Sequence, residues 1–338
     1  MTKTKKYLSR RRTPWDNLGD DDLNPTQKFL REKYHAHYEE RHPILSQTGE
    51  AELINTIIPV KCPYCKSEKF KKQGHTKNGV QRYRCGECSG TFIPTSGTIF
   101  DGHKISISEW IEYCLNLFRY LSISADSWNN KNAFTTSRYW LEKIFLLLAD
   151  YQSNVVLHGK VWLDETYYKV RSDSVMKYVD GTELPGISIN QMCIGTAYDK
   201  RNLVCFYEGL GRPSKTKTWE IFKSHIKPKS TLIHDNENAH SKLIEELSLK
   251  SIVHPSNELK GLEDKDNPLN PINQVHRMLK LFLYSHRSFN RDTLQGYLNL
   301  FAFVFNPPHN PMEKVEKLLN LALSVSKTLR YREQFAVK

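Results

Sequence analysis

The spacing of apolar residues along the chain changes character near His158. Between Ser106 and Tyr120, the residues Ile107, Trp110, Ile111, Leu115 and Phe118 recur every three or four positions, which predicts a helix with one buried face. Ser108 is placed to cap it, with Glu109 in the first turn. A second helical run, Tyr139–Leu148, follows an Asn-, Thr- and Ser-rich link from Asn129 to Ser137. Short helices joined by polar turns allow a helix-turn-helix with Thr135–Ile144 as its recognition helix; a plain helical linker fits the same pattern. Beyond His158, β-branched and aromatic residues predict strands over Lys160–Val170, Ile189–Tyr198 and Leu203–Glu208, the last two joined by the turn Asp199–Asn202. A helix over Lys215–Ile226, a short buried strand Ser230–His234, a helix Asn238–Leu247 and a strand Ser251–His254 follow. A long helix then runs from about Pro271 to Leu283.

The order is β-β-β-α-β-α-β-α, that of an α/β, RNase H-like fold in which three antiparallel strands precede parallel strands with intervening helices. Its predicted span is 158–306. Ahead of it stand a polar, basic extension (1–55), a cysteine-bearing segment (56–100) and the small helical region (104–150), and behind it a helical tail (307–338). Within the extension, Asn24-Pro25-Thr26 is a helix start leading into Gln27–Arg41.

Four of the seven cysteines change the picture most. Cys62-Pro63-Tyr64-Cys65, nineteen residues, then Cys85-Gly86-Glu87-Cys88 form two C-x2-C turns, each aiming two thiolates at one point. Together they complete the S4 shell that Zn²⁺ favours, a closed structural site holding one ion. Cys114, Cys193 and Cys205 lie in apolar stretches and read as small core residues.

Net charge is +12, and its placement is informative. Residues 1–12 carry six Lys or Arg and no acid, while residues 61–92 carry eight against Glu68 and Glu87. Those two stretches account for the whole excess. Basic charge on a metal-binding motif suits a polyanion, because each neutralised phosphate releases a counterion; residues 1–12 alone fit a solvated tail equally well. Lys71, Lys72, Arg82 and Arg84 are the candidate DNA contacts of this cysteine-bearing segment. No run approaches the ~18 apolar residues of a membrane span, and no secretory signal opens the chain, so the expected compartment is the cytoplasm.

The candidate chemistry lies in two acidic positions. Asp164, in Val161-Trp162-Leu163-Asp164-Glu165-Thr166-Tyr167, is a charge in an apolar strand, where an unpaired carboxylate is costly. Neighbouring strand residues face opposite sides, so Asp164 and Glu165 cannot both enter one site. Asp235 ends the buried strand Thr231-Leu232-Ile233-His234.

The stretch Gly74–Gly79, with Gln81-Arg82-Tyr83-Arg84-Cys85 and Thr91-Phe92, resembles the zinc ribbon of bacterial insertion-sequence transposases of the DDE type, particularly the ISXO-like group. The resemblance extends over roughly residues 55–306. It implies that Asp164, from the Asp-Glu-Thr-Tyr segment, and Asp235 are the first two catalytic carboxylates, and that His254 helps to position phosphate or the third ligand. In Asn270-Pro271-Ile272-Asn273, the family's third carboxylate position holds Asn273; some members of the group use Asn there with a Lys seven residues on, which Lys280 matches. An Asn carbonyl can still ligate Mg²⁺. Glu263, Asp264 and Asp266 lie just upstream as alternative carboxylates, and Arg277, Arg287 and Arg291 follow as candidate backbone contacts.

The implied function is that of a transposase using two Mg²⁺ or Mn²⁺ ions on transposon-end and target DNA, as a homo-oligomer because two ends must be synapsed. A DNA-binding protein on a transposase frame, with a lapsed nuclease centre, is the alternative that Asn273 keeps open.

Overall fold

The described residues of the computed structural model, 13–41, 47–102, 107–130, 132–286 and 291–330, divide into two units. One comprises the chain to Leu117, Ile123–Tyr139 and the segment from Leu319; the other comprises Phe118–Ser122 and Trp140–Leu318. In the first, helices α1 (Pro25–Arg41) and α2 (Gln47–Asn55) precede a three-stranded antiparallel sheet of β1 (Phe70–His75), β2 (Gln81–Cys85) and β3 (Thr91–Phe92). Helices α3 (Ile107–Phe118) and α4 (Ile123–Asn129) follow, and then α5 (Phe134–Leu148), which passes into the second unit at Trp140.

Helix α3 starts one residue before Ser108, which therefore lies inside the first turn instead of capping it. Glu50 Oε1 does that work, accepting the Ile107 N–H at 2.6 Å. Helix α5 begins at Phe134, earlier than its apolar period showed. Only Phe134, Thr135 and Arg138 are exposed on it, and every α5 residue beyond Arg138 is buried or half-buried.

Asp126, with no exposure, ties three helices together. Its Oδ1 accepts from Asn116 Nδ2 (3.0 Å) and Asn130 Nδ2 (2.7 Å), and its Oδ2 accepts from Ser137 Oγ (2.8 Å). Removing the carboxylate strands buried donors that desolvation makes costly. Asp126→Ala is therefore expected to destabilise the protein by about 3 kcal/mol or more, read as a fall in the urea midpoint. A fall worth less than about 1 kcal/mol would mean that water replaces the lost acceptor.

The second unit is built on β4 (Lys160–Lys169), β5 (Gln191–Tyr198), β6 (Leu203–Leu210), α6 (Lys215–Phe222), β7 (Thr231–His234), α7 (Ser241–Glu246) and β8 (Lys250–Val253). After these come α8 (Ser256–Leu259), α9 (Asn270–Ser285), α10 (Leu294–Phe305) and α11 (Pro311–Ser324). The sheet order is β6-β5-β4-β7-β8, antiparallel across β4, β5 and β6 and parallel from β4 to β7 to β8. It is the mixed five-stranded sheet of an RNase H-like fold.

Element ends shift by a few residues from their predicted places. Helix α6 stops at Phe222 because Ile226 is extended, bridging to Leu157. The helix predicted over Asn238–Leu247 is a 3-10 turn, Asn238–His240, followed by α7.

Alternation along the strands gives the sheet two different faces. Val161, Leu163, Ala197, Val204 and Leu232 pack against Phe222, Ile226, Leu243 and Leu247. Helix α9 lies on β4 and β5, and α10 on β6. The outer edge of β6 is closed by side-chain amides. Asn306 exchanges two hydrogen bonds with the Leu203 backbone, Gln152 two with that of Cys205, and Gln295 Oε1 accepts from Tyr207 N. Leu203, Cys205 and Tyr207 are thus engaged along the edge, which blunts this part of it as a template for another chain.

Among the described residues no helix is long and apolar enough to cross a membrane.

Candidate functional site

In the ribbon, the Cys62 and Cys88 sulfurs lie 3.7 Å apart and those of Cys65 and Cys85 3.5 Å apart, with all four within 4.8 Å of one another. Four sulfurs at ~2.3 Å from a tetrahedral Zn²⁺ stand about 3.8 Å apart, so the set fits one zinc ion. The turns that create it are tight. Lys66 N donates to Cys62 O, Cys85 N donates to Gly90 O, and Lys66 and Ser89 take positive φ of 63° and 58°. Backbone N–H groups of Cys88 and Glu87 lower the Cys85 thiol. At Cys65 a lowering backbone contact from Ser67 is outweighed by burial and the hydrogen bond shared with Cys85, so the cluster favours the thiolate at Cys85 and not at Cys65.

Beneath the knuckles Phe70, Tyr83 and Phe92 form a three-ring core, with centroids 5.4–5.6 Å apart. Because Tyr83 and Cys85 point inward, Arg82 and Arg84 point outward on β2. Lys71 stands directly opposite Arg84 in the register, and Lys72 is exposed beside it. Like charges in a cross-strand pair repel unless an anion intervenes. Glu68 and Glu87 pair with Lys61 and Lys69, so among the described residues the ribbon's two acids leave Lys71, Lys72, Arg82 and Arg84 unneutralised.

The RNase H-like sheet carries the second centre. Lys160, Val161 and Trp162 of β4 pair in parallel with Thr231, Leu232 and Ile233 of β7. Continued two residues, that register sets Asp164 beside Asp235, and Asp164 also pairs with Thr196 across β5. From α9, His276 sits over the same face, its Nδ1 3.7 Å from Asp164 Oδ2. Thr196 Oγ1 donates to the Asp164 carbonyl at 2.9 Å, which uses its only hydrogen. The 2.5 Å contact between Thr196 Oγ1 and His276 Nε2 must then be donated by the imidazole. His276 is thereby fixed as the Nε2–H tautomer with a bare Nδ1 toward Asp164. Burial, then the nearby Lys280 charge, holds its pKa down at about 3, in keeping with a neutral ring.

Burial and the charges of Glu165 and Asp235 push the Asp164 carboxyl up to about 7. Anionic oxygens gathered this way are held more easily with a cation among them. Asn273 lies half-buried one turn before His276 on α9, and Lys280 is exposed one turn after it. The oxygen donors of Asp164, Asp235 and Asn273 suit a hard divalent ion.

Glu165 faces the other way, toward a buried polar chain that the sequence did not reveal. Its Oε1 lies 2.9 Å from His240 Nε2; His240 Nδ1 is 3.0 Å from His234 Nδ1, and His234 Nε2 is 2.9 Å from Ser251 Oγ. His240 arrives through the 3-10 turn, so no periodicity points to it. Burial opposes charge on His240, but the hydrogen bond and charge of Glu165 raise its pKa above the ordinary imidazole value. Burial and that neighbouring ring lower His234 to about 4.

Glu208 joins this face from a bulge in β6. Its Oε2 accepts from Thr218 Oγ1 at 2.9 Å, and its Oε1 occupies the place where a Cβ on residue 195 would fall, which is why Gly195 stands there. Burial, then the Glu165 charge, pushes Glu208 up to about 7. Between the ordinary carboxylate range and pH 7 the folded state binds the extra proton, so this group's stabilising contribution is full below about pH 4.5 and is lost as pH rises through 7. Glu208→Gln cannot ionise. It is expected to lose less stability between pH 5 and pH 8 than the wild type, gaining about 1–3 kcal/mol at pH 8. Parallel declines in urea unfolding at the two pH values would contradict this.

The remaining predicted residues scatter. His254 immediately follows β8, its N–H donating to His234 O. Arg277 pairs with Asp264 at 3.1 Å, both well exposed, a contact worth little in water. Arg291 stacks on Tyr168. Arg287 lies outside the described residues.

No protein-family model matches the sequence, and neither does any curated protein. Among solved structures, the chain is similar to one in the simian T-cell lymphotropic virus intasome in complex with PP2A regulatory subunit B56 gamma. The identity is 13% and the TM-score 0.30, over 58% of this chain and 66% of that one, just under two thirds of its length. It is also similar to chains in a pre-cleavage Mos1 transpososome (12% identity, 67% of this chain and 82% of that, TM-score 0.21) and in the Mos1 transposase paired-end complex with left transposon end (12%, 67% and 83%, TM-score 0.24).

Proposed function

We propose that this protein is a DNA transposase. The ribbon, with Lys71, Lys72, Arg82 and Arg84 outward, binds the element's terminal repeats, and the sheet domain cuts and joins DNA. What supports the reading is the parallel pairing of β4 with β7, two residues short of Asp164 and Asp235, together with the effect of the Asp235 charge on the Asp164 carboxyl and the His276 imidazole of α9 3.7 Å from it. Two Mg²⁺ or Mn²⁺ ions, when bound, supply activation of the attacking oxygen and stabilisation of the leaving one in an in-line phosphodiester displacement.

The chain's own residues do the rest. Asp164 and Asp235 hold the ions from adjacent strands, and Asn273 offers a neutral carbonyl from α9. Thr196 and His276 lock the Asp164 backbone and stand behind its carboxylate. Lys280 and Arg277, exposed on α9, hold the DNA backbone. Water is the first nucleophile and the freed 3′-OH the second. Because bond energy passes from the broken ester to the new one, no nucleotide is needed. Homo-oligomerisation on DNA follows from the pairing of two ends.

The neutral Asn273 favours one other reading, a DNA-binding protein whose nuclease centre has lapsed. The test is strand transfer: purified protein, its element's end DNA, a target plasmid and Mg²⁺ or Mn²⁺. Joined products support the transposase; zinc-dependent end binding with no cleavage in either metal supports the lapsed centre.

A further inference from the structure

The histidine chain behind the catalytic face has the layout of a metal site. His234 and His240 are buried, and their Nδ1 atoms face one another at 3.0 Å. Asp235 adds a carboxylate oxygen, and the three ligand atoms lie within 4.8 Å of one another. The outer nitrogens are already committed: His240 Nε2 to Glu165 Oε1 at 2.9 Å, and His234 Nε2 to Ser251 Oγ at 2.9 Å. A metal-bound histidine needs such an acceptor for its distal N–H, because it fixes the tautomer that bares the ligating nitrogen. A carboxylate behind His240 also raises the basicity of that ring.

We infer that His234, Asp235 and His240 form a binding site for a borderline-soft divalent ion of the Zn²⁺ or Co²⁺ class, separate from the ribbon's four thiolates. Two imidazoles and one carboxylate select such ions over Mg²⁺, which prefers an all-oxygen shell. Three protein ligands leave a position open for water. An ion seated there engages Asp235. If the transposase reading holds, occupancy draws that carboxylate away from the catalytic pair; the binding itself does not depend on that reading.

The competing arrangement is a metal-free relay, in which Ser251 donates to His234, His234 to His240, and His240 to Glu165. Co²⁺ titration of the full-length, metal-stripped protein separates the two. The ribbon ion carries a thiolate-to-metal charge-transfer band; the inferred ion adds a second equivalent with ligand-field bands only. That second equivalent should vanish in His240→Gln and persist in Asp164→Asn, with the thiolate band unchanged in both. Glu165→Gln, which keeps the side chain's shape, should weaken it about 10- to 100-fold, a graded readout that stands even if His240→Gln fails to fold. A wild type that binds the thiolate equivalent alone overturns the inference in favour of the relay. A second equivalent lost in Asp164→Asn and kept in His240→Gln overturns it too, since that ion belongs to the catalytic carboxylates. Either result leaves the strand-transfer test of the transposase reading untouched.

Discussion

Asp164→Ala is expected to reduce cleavage and joining of end DNA by roughly a thousandfold or more while end binding is unchanged. The size of the effect follows from geometry. Asp164 sits mid-strand beneath α9, beside Asp235 by register, in a setting where Asn273 adds no charge of its own. Loss of one of two carboxylates therefore removes half of the site's anionic ligands. A pH signature accompanies it. With its carboxyl near 7, Asp164 must release a proton before it holds a cation, so the Mg²⁺ concentration for half-maximal joining should rise as pH falls below about 7. Gel analysis of joined products at graded Mg²⁺ and two pH values reads both effects. Residual cleavage in Asp164→Ala would move the first ligand elsewhere, with Glu165 excluded by its turn toward His240.

Local patterns exposed much of this in the sequence, and non-local contacts concealed the rest. The C-x2-C turns are self-contained, since each sets its own thiolates through a short loop, and the strand order followed from runs of apolar residues. Asp164 stood out because charge in an apolar strand needs a reason. The edge of β6 shows the opposite case. Gln152, Gln295 and Asn306 are polar residues that a periodicity argument places in solvent, yet their amides satisfy a strand backbone up to 103 residues away in sequence. The Ile107 N–H was similarly claimed by Glu50, 57 residues earlier. His276 lay in plain sight, three residues after Asn273 on one helix face. Its role depends on Thr196, which only the folding of β5 against β4 brings to it.

Stripping the zinc, or replacing Cys85 by serine, is expected to unfold the ribbon and abolish end-specific binding while the RNase H-like sheet stays folded. The ribbon's own core is small: Cys62, Tyr83, Cys85 and Phe92 are buried, with Phe70 packed against them. So short a segment cannot offset the entropy of ordering its turns by apolar burial alone, and segments below about 40 residues usually need a metal or a covalent clip. Structural zinc contributes on the order of 10–16 kcal/mol in isolated zinc-binding peptides, which makes folding and metal binding one event. The positive-φ turns at Lys66 and Ser89 add to the ordering that the ion must hold. The sheet's core, centred on Leu163, Ala197 and Leu232, shares no residue with that cluster and has no reason to follow it. Chelation followed by circular dichroism, metal analysis and a gel shift on end DNA checks each part. Retained end-specific binding in Cys85→Ser would mean that recognition lies in the helices, with α5's exposed first turn of Phe134, Thr135 and Arg138 the surface to test next. Loss of both binding and sheet structure would instead mean that the two units fold as one, and that the ribbon's zinc stabilises more of the chain than the segment that binds it.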